Sequence, residues 1–151
     1  MLRQAFRDRL KEAMKARDSR TVSTVRLMIA GLKERDVAAR GDGNPDGLSE
    51  SEIQRMLQAM IKQRRESIAL YRQGNRPDLV QQESEEIAGI ESFLPRQLDE
   101  GEIEAAAKAA IDDTGAATVK DLGKVMAALR ERHAGVIDLG LAGAIVRRLL
   151  G

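Results

Sequence analysis

Cysteine is absent from the 151 residues, tryptophan is absent, and histidine occurs once, as His133. A disulfide scaffold, a cysteine-ligated zinc or iron–sulfur site and a thiol nucleophile are therefore excluded. A lone histidine also removes any multi-histidine metal centre, and neither a metal nor a cofactor is expected. Only three aromatic side chains are present, Phe6, Tyr71 and Phe93, too few for a platform that stacks single-stranded bases. Long apolar runs are missing too. No stretch approaches the 18 or so residues that cross a bilayer, and Met1-Leu2-Arg3-Gln4 opens the chain without an apolar leader. These absences predict a soluble, cytoplasmic protein with no membrane partner. Charge of one sign does not dominate either: 25 Lys and Arg against 24 Asp and Glu leave a net +1.

What is present is helical periodicity. Leu2, Phe6, Leu10, Ala13 and Met14 recur at three- and four-residue steps and predict a first helix. Asp18-Ser19 offers a break, with Ser19 as the expected N-cap of a second helix running to about Ala39. Its apolar face is Val22, Val25, Ile29 and Leu32, widened by Leu27 and Met28. Residues 41–47, with three glycines, a proline and no apolar side chain, predict a mobile loop. Ser49 and Glu52 form a capping box for a third helix with the stripe Ile53, Leu57, Met60, Ile61, Ile68 and Tyr71, ending at Gly74. Pro77 suits the first turn of a fourth helix burying Leu79, Ile87, Ile90 and Phe93. The short connection at 74–76 makes these two an antiparallel hairpin.

Leu94-Pro95-Arg96-Gln97-Leu98 is a boundary, because Pro95 pushes its predecessor out of helical geometry. Asp99 with Glu102 opens a fifth helix that ends at Gly115. Thr118 with Asp121 caps a sixth, and Asp138 a seventh. The expected fold is all-α: an N-terminal helical hairpin or bundle subdomain over 1–94, a hinge at 94–98, and a small three-helix C-terminal subdomain over 99–151.

The near-neutral total hides blocks of charge: +6 over residues 1–40, −4 over 41–54, +5 over 55–76, −8 over 77–104 and +2 over 105–151. Two readings stand. The blocks are solvated faces attracting one another across the hairpin, or the basic side binds phosphates while the acidic block suppresses nonspecific attachment. Arg64 falls on the apolar stripe between Ile61 and Ile68, with Glu83 and Glu86 near the stripe of the following helix. This spacing predicts a buried or half-buried ion pair that sets the hairpin register. Lys62 and Arg65 project away from that stripe and are candidates for phosphate contact.

Catalytic constellations are not found. His133 ends a helix, where a cation favours the carbonyls, and no serine is marked beside it. The carboxylate clusters Glu83-Glu85-Glu86 and Asp99-Glu100-Glu102-Glu104 lie in first turns or on helix faces, without the Glu-x-x-His pairs of a dimetal bundle. Asp121-Leu122-Gly123-Lys124-Val125-Met126 lacks the strand and glycine-rich turn of a nucleotide loop. Catalysis by this chain alone is not expected.

Several runs resemble the YqeY-like proteins of the GatB/YqeY family. They are Ile61-Lys62-Gln63-Arg64-Arg65-Glu66-Ser67, then Tyr71 and Gly74, and then Glu91 through Phe93-Leu94-Pro95 to Gln97-Leu98. Glu102-Ile103, Thr114-Gly115-Ala116 and Asp121 through Met126 continue the likeness, colinear over nearly the whole chain. The resemblance implies a helical N-terminal and a three-helix C-terminal subdomain. It also implies kinship to the tail of the B subunit of the glutamine-dependent amidotransferase, which corrects mischarged Glu-tRNA(Gln) or Asp-tRNA(Asn). That tail helps to hold tRNA, and the family label is carbon–nitrogen ligase with glutamine as amido-N-donor. Similar proteins often carry a basic residue and Asp-Gly after the glycine that follows the sixth helix. Here Gly135-Val136-Ile137-Asp138-Leu139-Gly140 keeps Asp138 but is more apolar from Val136 to Leu139. The remaining basic candidates in this half are Lys120, Lys124, Arg130, Arg132, Arg147 and Arg148. The expected partner is tRNA or another structured RNA, held by charge and shape. The alternative is a protein partner, an amidotransferase subunit or another translation factor.

Overall fold

A computed structural model describes every residue from Met1 to Gly151. The chain is all-helical, with seven α-helices and a single 3-10 turn. It divides into two compact units, Met1–Leu94 and Pro95–Gly151.

In the first unit α1 spans Leu2–Lys15 and buries Leu2, Phe6 and Ala13. Met14, at the edge of the expected stripe, is about half exposed at 52%. The chain reverses over Ala16–Asp18, with Arg17 in the left-handed region at φ 56°. The second helix, α2 (Ser19–Gly41), is capped by Asp18 and not by Ser19. Asp18 wins because its carboxylate accepts from both the Thr21 amide, at 3.2 Å, and the Thr21 hydroxyl, at 2.6 Å. An ionised acceptor with two partners is a stronger cap than a serine hydroxyl. The helix buries Thr24, Val25, Met28, Leu32 and Asp36, while Leu27 turns outward and adds nothing to the buried face. It also continues past Ala39 to take in Gly41, the first residue of the expected loop.

Ser49 and Glu52 complete the capping box of α3 (Glu50–Gln73), which buries Ile53, Met56, Leu57, Ile61 and Ile68. At its far end Gly74 keeps an ordinary φ of −82°. The left-handed residue is Asn75, at φ 54°, a position that a short polar side chain tolerates. Pro77 then sits in the first turn of α4 (Pro77–Glu91). Helices α3 and α4 pack as an antiparallel hairpin. Phe93, just beyond α4, meets Phe6 edge to face with ring centroids 5.0 Å apart, a favoured aromatic geometry. One core collects Phe6, Val25, Met28, Ile53, Leu57 and Ile90 from all four helices.

In the second unit α5 (Glu100–Thr114) has the Asp99–Glu102 capping box and stops at Gly115, whose φ of 67° needs glycine. The sixth element has Thr118 as its N-cap and Asp121 at the third position, as expected, but its first turn differs. Val119–Asp121 forms a 3-10 turn, and only then does α6 (Leu122–Arg132) begin. The Asp121 carboxylate accepts from the amides of Ala117, at 2.8 Å, and Thr118, at 3.2 Å. This draws the chain into the tighter turn before the α-helix can propagate. Asp138 caps α7 (Leu139–Leu150) by accepting from the Leu141 amide.

A second core gathers Ile103, Ala107, Val125, Leu129, Ile145 and Val146. Ala107, Ala110 and Ala142 are fully buried within it. The apolar departure at Val136–Leu139 has a structural cause. Ile137 is a core residue, 2% exposed, and the Val136 carbonyl accepts from the Leu98 amide at 2.8 Å. The Gln97 side-chain amide donates to the Gly135 carbonyl at 2.9 Å, so residues 97–98 are stitched to this loop.

Candidate nucleic-acid interface

The eight basic residues singled out by the sequence are all exposed, but they differ in what holds them. Four are engaged by carboxylates. Arg65 reaches Glu91 at 3.5 Å, Lys124 reaches Asp121 at 3.9 Å, Arg132 reaches Asp113 at 2.8 Å and Arg148 reaches Glu104 at 3.4 Å. Lys62, Lys120, Arg130 and Arg147 are the ones without a carboxylate at ion-pair distance. Lys62 lies on the outer face of α3. In the second unit Lys120 stands in the 3-10 turn, while Arg130 and Arg147 occupy the last turns of α6 and α7. A cation in a helix's last turn also complements the dipole there. His133 closes α6 as its C-cap.

Arg64 is held differently. Its side chain is 12% exposed, and its Nε donates to Glu86 Oε2 at 3.0 Å with Glu83 at 3.9 Å. One guanidinium hydrogen bond also returns to the Met60 carbonyl. Two carboxylates thus share one cation on the inner face of the hairpin. Burial, followed by repulsion from Glu86, pushes the Glu83 carboxyl above its ordinary range, against the pull of Arg64. Glu86 has the closer, hydrogen-bonded position, so the second negative charge is the costly one.

A further charged centre escapes inspection of charge blocks. Asp36 is buried on α2, 6% exposed. Arg3 of α1 donates through both terminal nitrogens to its two carboxylate oxygens, one at 2.8 Å. The same guanidinium donates to the Leu48 carbonyl at 2.9 Å, and the Leu48 amide donates to Asp36 at 2.9 Å. The end of the glycine-rich loop is therefore clamped. Gly47 is buried at φ 76°, and a β-carbon there would overlap the Asp36 carboxylate. The bonds from Arg3, aided by the Leu48 amide, hold the Asp36 carboxyl down at about 2. A signal did exist in the sequence: Asp36 lies eleven residues after Val25 and four after Leu32, on the buried stripe of α2.

The class that these features define is an all-helical protein of two units, whose charged side chains serve caps, a buried clamp and an exposed set of cations. The chain belongs to the YqeY family, since the family model described as Yqey-like protein matches residues 3–150. Among curated proteins it is similar to "Altered inheritance of mitochondria protein 41, mitochondrial" from three yeasts. The protein of Lachancea thermotolerans is 33% identical over 103 residues, covering 68% of this chain and 50% of the relative. That of Vanderwaltozyma polyspora is 29% identical over 97 residues, 60% of this chain and 50% of the relative. That of Kluyveromyces lactis is 30% identical over 89 residues, 59% of this chain and 46% of the relative. The chain spans about half the length of these relatives. No helix is long and apolar enough to cross a membrane.

Asp36 titrates near 2 when folded against an ordinary 3.8, so it contributes about 2 kcal/mol that is fully present above pH 4. That contribution is lost as pH falls from about 4 towards 2. In urea melts, Asp36→Asn should be destabilised relative to the parent by about 2 kcal/mol at pH 7, with the gap narrowing below pH 4. A gap independent of pH contradicts the clamp. Removing the surplus charge with Glu83→Gln should raise stability by about 0.5–1 kcal/mol at pH 7, whereas Glu86→Gln should lower it by about 1–3 kcal/mol. Equal effects from the two substitutions would show that Arg64 does not discriminate between the carboxylates.

Proposed function

We propose that this protein is a noncatalytic helical module that holds tRNA, or an RNA of similar structure, through its phosphates. The observation that carries the reading is the exposed set Lys62, Lys120, Arg130 and Arg147, cations with no carboxylate at ion-pair distance. Unpaired cations on a protein of net +1 offer sites for phosphate without making the whole molecule sticky. Arg65, Lys124, Arg132 and Arg148 can join them by exchanging a carboxylate for a phosphate, since exposed ion pairs are worth little. Family kinship to the tRNA-holding tail of the amidotransferase B subunit supports the same partner. The ligase label belongs on this reading to the multi-subunit enzyme, and this chain supplies RNA contact. The few aromatics keep recognition to charge and shape.

The compartment proposed is an aqueous one in which translation takes place. The mitochondrial placement in the relatives' names supports an organellar setting beside the cytoplasmic one expected from the sequence.

Titrating the full chain against unfractionated tRNA should show binding at 50 mM salt that weakens about 100-fold by 200 mM, a log–log slope of about −3 or steeper for four or more phosphates. The same preparation should release no ammonia from glutamine. Absence of tRNA binding at low salt, or glutamine hydrolysis that copurifies with the chain, overturns the proposal.

A further inference from the structure

We propose that the groove between α1 and α2 is a binding track for an RNA phosphate backbone, a site separate from Lys62, Lys120, Arg130 and Arg147 but resting on the RNA-binding reading. A depression of about 260 Å³ opens there, lined by Arg3, Arg7, Lys33 and Arg40 around Phe6, Ile29, Leu32 and Asp36. Four cations thus face one carboxylate. That carboxylate is already committed, because Asp36 takes both terminal nitrogens of Arg3 and the Leu48 amide. Arg7, Lys33 and Arg40 have no acidic side chain at ion-pair distance, unlike Arg20 beside Glu85 or Arg76 beside Asp78 in the same unit. Three cations without an ion-pair partner around one groove repel one another and attract an anion.

The spacing selects the kind of anion. Lys33 and Arg40 are seven residues apart on α2, about 10 Å along the axis, with Arg7 across the groove on the neighbouring helix. A polymer with regularly spaced charges suits such a row, since successive phosphates can each meet one cation along it. Arg26, a further seven residues back on the same side of α2, extends the row. The floor argues against an acidic amphipathic helix as the occupant. Such a helix needs apolar pockets for its anchors, but Phe6 and Leu32 are already buried in the core and leave chiefly Ile29 partly open. Attachment by charge with little apolar contact is the mode of a nucleic-acid backbone.

The test compares two triple variants of the full chain by fluorescence anisotropy with unfractionated tRNA over a salt series. One carries Arg7→Gln, Lys33→Gln and Arg40→Gln. The other carries Lys15→Gln, Arg55→Gln and Arg72→Gln, an equal charge change at exposed positions outside the groove. Circular dichroism melts establish that both fold as the parent does. The groove triple should bind at least tenfold more weakly at 100 mM salt and lose about two to three units of the salt slope, while the second triple stays within about threefold of the parent. Equal losses from both triples, or no loss from the groove triple while the parent binds, overturn the groove and leave the RNA-binding reading standing. No binding by the parent overturns both. Poly-glutamate held as tightly as tRNA overturns the assignment to RNA in favour of an acidic protein.

Discussion

A carboxylate on a face that must be buried organises much of the first unit. Asp36 sits on the α2 stripe with Val25 and Leu32, and an isolated charge cannot stay there without partners. Arg3 from the first turn of α1 and the Leu48 amide from the loop supply them. That requirement fixes where α1 lies against α2, and it ends the glycine-rich loop where α3 begins. Gly47 belongs to the same constraint, since only a residue without a side chain lets the loop pass the carboxylate. By taking up the one acidic side chain lining the α1–α2 groove, the clamp also leaves Arg7, Lys33 and Arg40 without an ion-pair partner. Stability and the proposed recognition thus arise from one ion pair.

The hairpin of α3 and α4 handles charge in another way. Arg64 has two carboxylates within reach and satisfies one fully. A buried pair of this kind adds little net stability, because desolvation offsets most of the attraction, but any other register would strand a charge. The pairing of Arg65 with Glu91 on the outer side follows the same register at lower cost. The acidic block of α4 therefore has a structural use, and the two readings of the charge blocks are compatible. Some charges set the hairpin, and others stay exposed.

Legibility varied with the range of the interaction. The boxes Ser49–Glu52 and Asp99–Glu102, Pro77 in a first turn and Gly115 at a helix end are contacts between near neighbours, and each was visible as a spacing. Asp18 displaced Ser19 because two adjacent residues were both competent caps, and the choice turned on the Thr21 hydroxyl. The 3-10 turn at Val119–Asp121 was hidden for a similar reason, as capped starts of both helix types look alike in sequence. The groove cations fall within the +6 block of residues 1–40, but two helices must lie side by side before Arg7 of α1 and Lys33 and Arg40 of α2 share a site.

By itself the sequence determined the helices, most of the residues at the centre of each buried face, the break near Pro95 and the exclusion of cysteine and multi-histidine chemistry, while Leu79 and Ile87 of α4 are only half-buried. These depend on residue type and on periodicity within a few turns. Tertiary structure alone decided which charges are cancelled and which remain. The partners of Asp36 come from 33 residues before it, in Arg3, and 12 after it, in Leu48. A charge's environment is a property of distance in space, and a folded chain brings together groups that no local spacing relates.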